Sequence, residues 1–274
     1  MELPKLFPGY EARVAFGKPK CGQGLFMKII YLHSGAEWND YPHFVEDLVV
    51  QYKARKICDI GGGANPVLPL QFIINNQLDC TILDISSAEL EKAPIGYKKL
   101  VQDIEAENFV QTNQFDLVVS KMMAEHLKNG KLFHKNIFSI LKPGGVAIHY
   151  FPTLYALPFL VNKLIPDRIS SFLLDIFLPR DRYQMGKFPA HYSWCYGPTP
   201  SMLRMLSEIG YEIEQYRGFF GNIYYSRIPI LRNIYKVYTR YLVNHPNPYL
   251  TSFAQVVLRK PENNFADITN RNQS

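Results

Sequence analysis

The sequence is poor in cysteine, has no long apolar run, and carries no acidic side chain between residues 222 and 260. Its four cysteines, Cys21, Cys58, Cys80 and Cys195, lie far apart, with no C-x-x-C pair and no histidine at metal-site spacing. That pattern argues against a disulfide framework and a Cys/His metal centre, so the cysteines are expected to be reduced and structural, with no metal bound. No stretch approaches the roughly 18 apolar residues of a membrane span, and the start of the chain lacks the basic, apolar and small-residue blocks of a secretion signal. A cytoplasmic protein is expected. The missing acids leave Arg227, Arg232, Lys236, Arg240, Arg259 and Lys260 unbalanced, which accounts for the whole formal net charge of +6. With 47% hydrophobic and 20% charged residues over 274 positions, what remains is an ordinary globular composition, long enough for one large core with additions.

From residue 56 onward, strand-like and helix-like segments alternate, which predicts βαβ units and an α/β fold with a mostly parallel sheet covered on both faces. The expected strands are 56–60, 80–85, 98–104, 115–121, 145–151, 211–220 and 251–259. Pro66 suits a first helical turn, Asn129 a cap, and Pro198 and Pro200 the opening of a helix that Gly210 stops. Residues 1–55 are expected to form an N-terminal helical cap and 56–274 the main domain, interrupted by insertions at about 153–190 and 222–249. Both insertions exceed the roughly 2–6 residues usual for such connections.

The run Cys58-Asp59-Ile60-Gly61-Gly62-Gly63-Ala64-Asn65-Pro66 reads as a strand ending in an acid, a glycine turn, and the approach to a helix. Such a turn lets a ligand lie against backbone with no Cβ in the way. Asp84 closes the next strand about twenty residues on, where a carboxylate can accept from both hydroxyls of a ribose, and Asp103 closes the third strand at the same edge. A nicotinamide dinucleotide would need a third glycine where Pro66 stands, and proline offers no amide to a pyrophosphate.

Asp59-x-Gly61-x-Gly63, Leu83-Asp84-Ile85-Ser86, Asp103-Ile104, Phe115-Asp116-Leu117-Val118 and Leu141-Lys142-Pro143-Gly144-Gly145 together resemble the class I S-adenosylmethionine-dependent methyltransferases in order and spacing. The resemblance is close over 56–152 and looser over 191–260. It implies a Rossmann-like, doubly wound, seven-stranded sheet, mostly parallel with the last strand antiparallel, carrying the cap and the two helical insertions. It implies S-adenosylmethionine as cofactor, with Gly61, Gly62 and Gly63 under its methionine part, Asp84 on the ribose, and Asp103 and Ile104 at adenine. Ser120, Lys121 and Met122 would border the methyl group, Asp59 would order the turn or accept from the methionine amine, and Asn65 and Ile85 complete the binding set. The competing readings are an NAD-dependent oxidoreductase and a methyltransferase-like binding protein without activity.

Methyl transfer asks chiefly for alignment, and a base only where the acceptor must lose a proton. His126, just beyond the fourth strand, is the candidate catalytic residue; the plainer reading is a histidine bonded to a backbone carbonyl that shapes the loop. His149 and Tyr150 face opposite ways on one strand, so at most one serves the site. Ser120-Lys121-Met122-Met123 stands where amide and exocyclic-amine methyltransferases carry an Asn/Asp-Pro-Pro-Tyr/Phe loop, and no Pro-Cys pair is present, which argues against nucleic-acid acceptors. The segment from Gly186 to Tyr192 is loosely similar to bacterial methyltransferases associated with surface-polysaccharide assembly, implying a small-molecule, saccharide or lipid-linked acceptor. Apolar residues of the first insertion suggest a lid. The run 228–243 reads as a basic amphipathic helix, with peripheral membrane contact as its functional reading.

Overall fold

The computed structural model describes residues 10–15, 26–109, 112–154, 189–221 and 229–262. Nine strands form one sheet: β1 (Tyr10–Ala15), β2 (Phe26–His33), β3 (Lys56–Ile60), β4 (Asp79–Asp84), β5 (Lys98–Val101), β6 (Phe115–Lys121), β7 (Leu141–Pro152), β8 (Glu212–Phe220) and β9 (Phe253–Arg259), in the order β1-β2-β8-β9-β7-β6-β3-β4-β5. Strands β3 to β7 pair in parallel, while β9 runs antiparallel between β7 and β8. The fold is the expected Rossmann-like α/β arrangement.

The strand count corrects the sequence reading. Residues 10–15 and 26–33, expected within a helical cap, add two strands to the β8 edge, β2 in parallel with β8 and β1 antiparallel beyond it. Period-two burial explains β2: Met27, Ile29 and Tyr31 are buried, with half-buried residues between them. Only α1 (Glu37–Gln51) follows the helical expectation there.

Alternation along the central strands loads both faces of the sheet. Ile57, Ile82, Leu117, Val119 and Ile148 form one core with Tyr41, Val45 and Val49 of α1, Ile73 of α2 (Leu70–Asn75) and Leu90 of α3 (Ser87–Lys92). Cys58, Ile60, Val118 and Ala147 pack against Phe133 and Ile137 of α4 (Gly130–Ile140), Met202 and Leu206 of α5 (Pro200–Ile209), and Leu242 and Val243 of α6 (Pro229–Asn244). Burial of each large aliphatic contributes about 1.5–3 kcal/mol, so the two layers supply the main driving force. Cys58, Cys80 and Cys195 are free and buried.

The helix ends follow local chemistry. Asn129 accepts from Leu132 N at 3.0 Å, Thr199 from Met202 N at 3.2 Å ahead of Pro200, and Gly210 ends α5 at φ 113°. The helix expected at Pro66 starts only at Leu70, because the Asp59 carboxylate holds the Val67 amide in the intervening loop.

Two of the family motifs serve the opposite edge of the sheet. Asp116 accepts from Arg55 N at 3.0 Å, Lys56 N at 2.7 Å and Lys142 Nζ at 2.6 Å, tying together the starts of β3, β6 and β7. Partial burial pushes its pKa up, but the Lys142 ammonium and the two amides outweigh this and hold it below the usual range. Gly144 N and Gly145 O bond Lys260 O and N, stitching β7 to β9.

The first insertion lies almost wholly outside the described residues, as does the expected lid. Within the second, α6 splits its apolar residues between two faces. Thr239, Leu242 and Val243 are buried, whereas Ile234, Val237, Tyr238 and Tyr241 are exposed, with Arg232, Lys236 and Arg240 solvated on a third side. Among the described residues no helix is long and apolar enough to cross a membrane.

Candidate active site

The carboxyl ends of β3, β4, β5, β6 and β7 lie along one edge, and most of the residues singled out in the sequence gather there. The chain turns at Gly61 (φ 71°) and Gly63 (φ 40°), with Gly61 N bonded to Leu83 O at 2.8 Å and Asn65 N to Gly62 O at 2.8 Å. Each glycine is closely faced by a neighbouring side chain. A Cβ on Gly61 would collide with Met123 Cγ, one on Gly62 would lie 2.8 Å from Asp59 Cγ, and one on Gly63 would lie 3.1 Å from Asp84 Oδ2. The glycine turn is therefore walled by the side chains of β3, β4 and the loop after β6.

Asp84 is half-buried beside the turn, its Oδ1 accepting from Ser86 N at 2.9 Å while Ser86 caps α3. Ile85 next to it is 68% exposed, a large apolar side chain standing open at the same edge. Asp103 lies two residues beyond β5 and does not close it as expected, because its carboxylate accepts from Glu105 N at 2.8 Å and turns the chain out of the ladder. It is exposed at the site edge. Ile104 is buried in the core under α4, where its carbonyl accepts from Asn136 Nδ2 at 2.7 Å. Asn65 is exposed on the loop.

Asp59 sits beneath the turn, with Oδ2 accepting from Val67 N at 2.6 Å and Oδ1 without a partner. Burial raises its pKa to about 7; the Val67 amide and Lys121 pull it down and Asp84 pushes it up. A buried acid of this kind fits a ligand that brings positive charge to the turn. In the absence of ligand its stability contribution runs opposite to that of a surface carboxylate. With the folded pKa above the unfolded value near 3.8, stability is greatest at acid pH and is lost as pH rises through about 7. Asp59→Asn is accordingly expected to gain on the order of 1–3 kcal/mol over the wild type at pH 8 and little at pH 4. Thermal melts at the two pH values measure this, and equal shifts at both would contradict it.

Lys121 ends β6 and reaches α1. Pro42 inside that helix has no N–H for the carbonyl of Trp38, and Lys121 Nζ donates to it instead at 2.9 Å while lying 4.1 Å from the Trp38 ring centroid. Partial burial lowers the Lys121 pKa, and Asp59 counters this. Tyr41, fully buried, donates to Ser120 O at 2.8 Å and Ile148 O at 3.1 Å, pinning α1 over the ends of β6 and β7. Met122 takes a left-handed turn (φ 52°), its amide bonded to Tyr150 O at 2.7 Å. Ser120 points away into the α4 layer, where its hydroxyl lies 2.8 Å from His149 Nδ1. Tyr150 faces the other way, against Tyr41 and Trp38. The strand thus presents Tyr150, and not His149, to the α1 side.

His126 stands on a short 3-10 turn, Ala124–His126, with Nδ1 3.0 Å from Pro189 O and Nε2 3.8 Å from Glu125 Oε1. The contact with Pro189 is the carbonyl-bonded arrangement that shapes a loop. Glu37, Trp38 and Tyr41 were missed in the sequence because their part depends on α1 folding over the strand ends, and Glu125 because its burial depends on the distant loop of His191 and Tyr192. The signal available was Pro42 within an otherwise helical run.

Residues 33–216 match a family described as a methyltransferase domain. The chain belongs to this methyltransferase family. It is an S-adenosylmethionine-dependent methyltransferase, with S-adenosyl-L-methionine as cofactor, and the nicotinamide reading is set aside. Among solved structures, an S-adenosylmethionine-dependent methyltransferase from Mesorhizobium loti is similar at 16% identity, covering 83% of this chain and 99% of that one with a TM-score of 0.51. A protein assigned as a sarcosine dimethylglycine methyltransferase from Galdieria sulphuraria is similar at 12% identity, covering 82% and 86% with a TM-score of 0.50. At these identities the likeness carries the fold alone. No curated protein matches the chain.

Proposed function

We propose that this methyltransferase acts on a hydroxyl or amine of a small molecule, a saccharide or a lipid-linked saccharide. The donor would lie along the glycine turn, with Asp84 accepting from its ribose hydroxyls and Asp103 and Ile85 flanking its base. Asp59 and Lys121 would meet the charged methionine end, Asp59 through its unpartnered Oδ1. S-adenosylmethionine supplies an electrophilic methyl carbon on a good leaving group. The chain's own task is then to align the acceptor with that carbon and to exclude water, the two effects that dominate such displacements. Met122, Met123, Trp38 and Tyr150 form the apolar surround, and His126 belongs to the path by which an acceptor proton leaves, with Nε2 turned toward Glu125.

The observation that carries the acceptor class is α6, whose exposed Ile234, Val237, Tyr238 and Tyr241 suit contact with a lipid surface while Arg232, Lys236 and Arg240 favour anionic groups nearby. Incubating the protein with methyl-labelled S-adenosylmethionine and fractionated cell extract tests this. Label is expected in the saccharide or lipid-linked saccharide fraction, and label confined to protein or nucleic acid would overturn the assignment.

A further inference from the structure

Two buried carboxylate oxygens among the described residues lack a hydrogen-bond partner, Asp59 Oδ1 and Glu125 Oε2. Asp59 lies beneath the glycine turn, whereas Glu125 lies past the end of β6, two residues beyond the Met123 side chain that packs on Gly61. Its backbone is clamped, the carbonyl accepting from His191 N at 2.7 Å and Tyr192 N at 2.9 Å, while the neighbouring His126 is held to Pro189 O. The side chain is 7% exposed.

Among the described residues, the groups that face it are His126 on its own turn, 3.8 Å away, Tyr150 of β7, which also meets Glu37 of α1, and Cys195 of the loop before α5. No lysine or arginine is among them. Burial accordingly pushes the Glu125 pKa up to about 8, against the pull of its own amide. The carboxyl therefore holds its proton near neutrality until a positive charge arrives.

We propose that Glu125 is the proton acceptor of the methyl-transfer step, its unpartnered Oε2 facing the sulfonium end of the donor and the acceptor's nucleophile. This rests on the glycine turn being the donor site. Docking of the sulfonium favours the carboxylate, and Glu125 gives its proton to solvent. In the step itself the acceptor's lone pair forms the bond to the methyl carbon, the carbon–sulfur bond breaks with its electrons staying on sulfur, and the acceptor's proton passes to Oε2. Sulfur is then neutral, so Glu125 again favours the protonated form and keeps the proton through product release, which restores its starting state. The net change is one proton released per methyl transferred.

Calorimetric binding at pH 7, in buffers of different ionisation enthalpy, tests this without any acceptor. S-adenosylmethionine is expected to release about 0.5–0.9 proton more than S-adenosylhomocysteine, which shares the amino-acid end and lacks the positive sulfur. Any response of Asp59 to the amine is common to both ligands and cancels. Glu125→Gln should remove the difference and weaken S-adenosylmethionine roughly tenfold relative to S-adenosylhomocysteine. Equal proton release by the two ligands in the wild type overturns the inference and leaves the donor site standing, with no variant required. Binding of neither ligand overturns the donor site, and this inference with it.

Discussion

Gly61→Val is expected to lower S-adenosylmethionine affinity by more than about a hundredfold while the chain still melts cooperatively. Two effects act together. Gly61 holds φ at 71°, where a β-branched residue costs about 1–3 kcal/mol, and the added Cβ falls on Met123 Cγ. The loop after β6 must then move, and the valine methyl groups occupy the surface on which the donor would rest. The remainder of β3 is paired on both sides, to β4 and β6, so the damage stays local. Calorimetry beside a thermal melt measures both consequences, and a wild-type dissociation constant in the folded variant would remove the turn from the site.

Asp84→Ala is expected to weaken the donor by about 2–4 kcal/mol, or about 30- to 1,000-fold, through loss of two charge-assisted hydrogen bonds to the ribose. The carboxylate is well placed for this. One oxygen is committed to Ser86 N, which fixes its orientation, and the other lies 3.1 Å from where a Cβ on Gly63 would stand. Removing the Ser86 bond also costs stability, on the order of 1 kcal/mol, so affinity should be compared at a temperature where both proteins are folded. Asp84→Asn keeps an acceptor for Ser86 N and should show the affinity loss with little of the stability loss. A loss below tenfold in either variant would place the ribose elsewhere.

Much of the glycine-turn edge was legible because the determinants are local. A glycine turn after a strand, an acid at the end of the next strand, and caps such as Asn129 and Thr199 depend on residues a few positions apart, and period-two burial marks the strands directly. Asp103 shows the limit of such reading. An aspartate at the end of an apolar run looks like the last residue of a strand, but its side chain can bond its own backbone and end the ladder early, as it does here. Residues 26–33 carried the strand pattern all along and were masked by the aromatics and glycines around them.

The surroundings of Lys121 and Glu125 were not legible. Nothing within ten residues of Lys121 shows that its ammonium answers the carbonyl left unpaired by Pro42, since the two meet only when α1 lies across the ends of β6 and β7. The burial of Glu125 likewise depends on a loop more than sixty residues away closing over its turn.

By itself the chain determined an alternating α/β sheet, the edge at which its glycine turn opens, and the carboxylates standing beside that turn, because backbone conformation and side-chain period are short-range properties. Tertiary packing decided which of those polar groups keep water or a counter-ion and which are stranded without either. Charge in a protein interior is governed by what lies around it in space, and that neighbourhood exists only once distant segments have met.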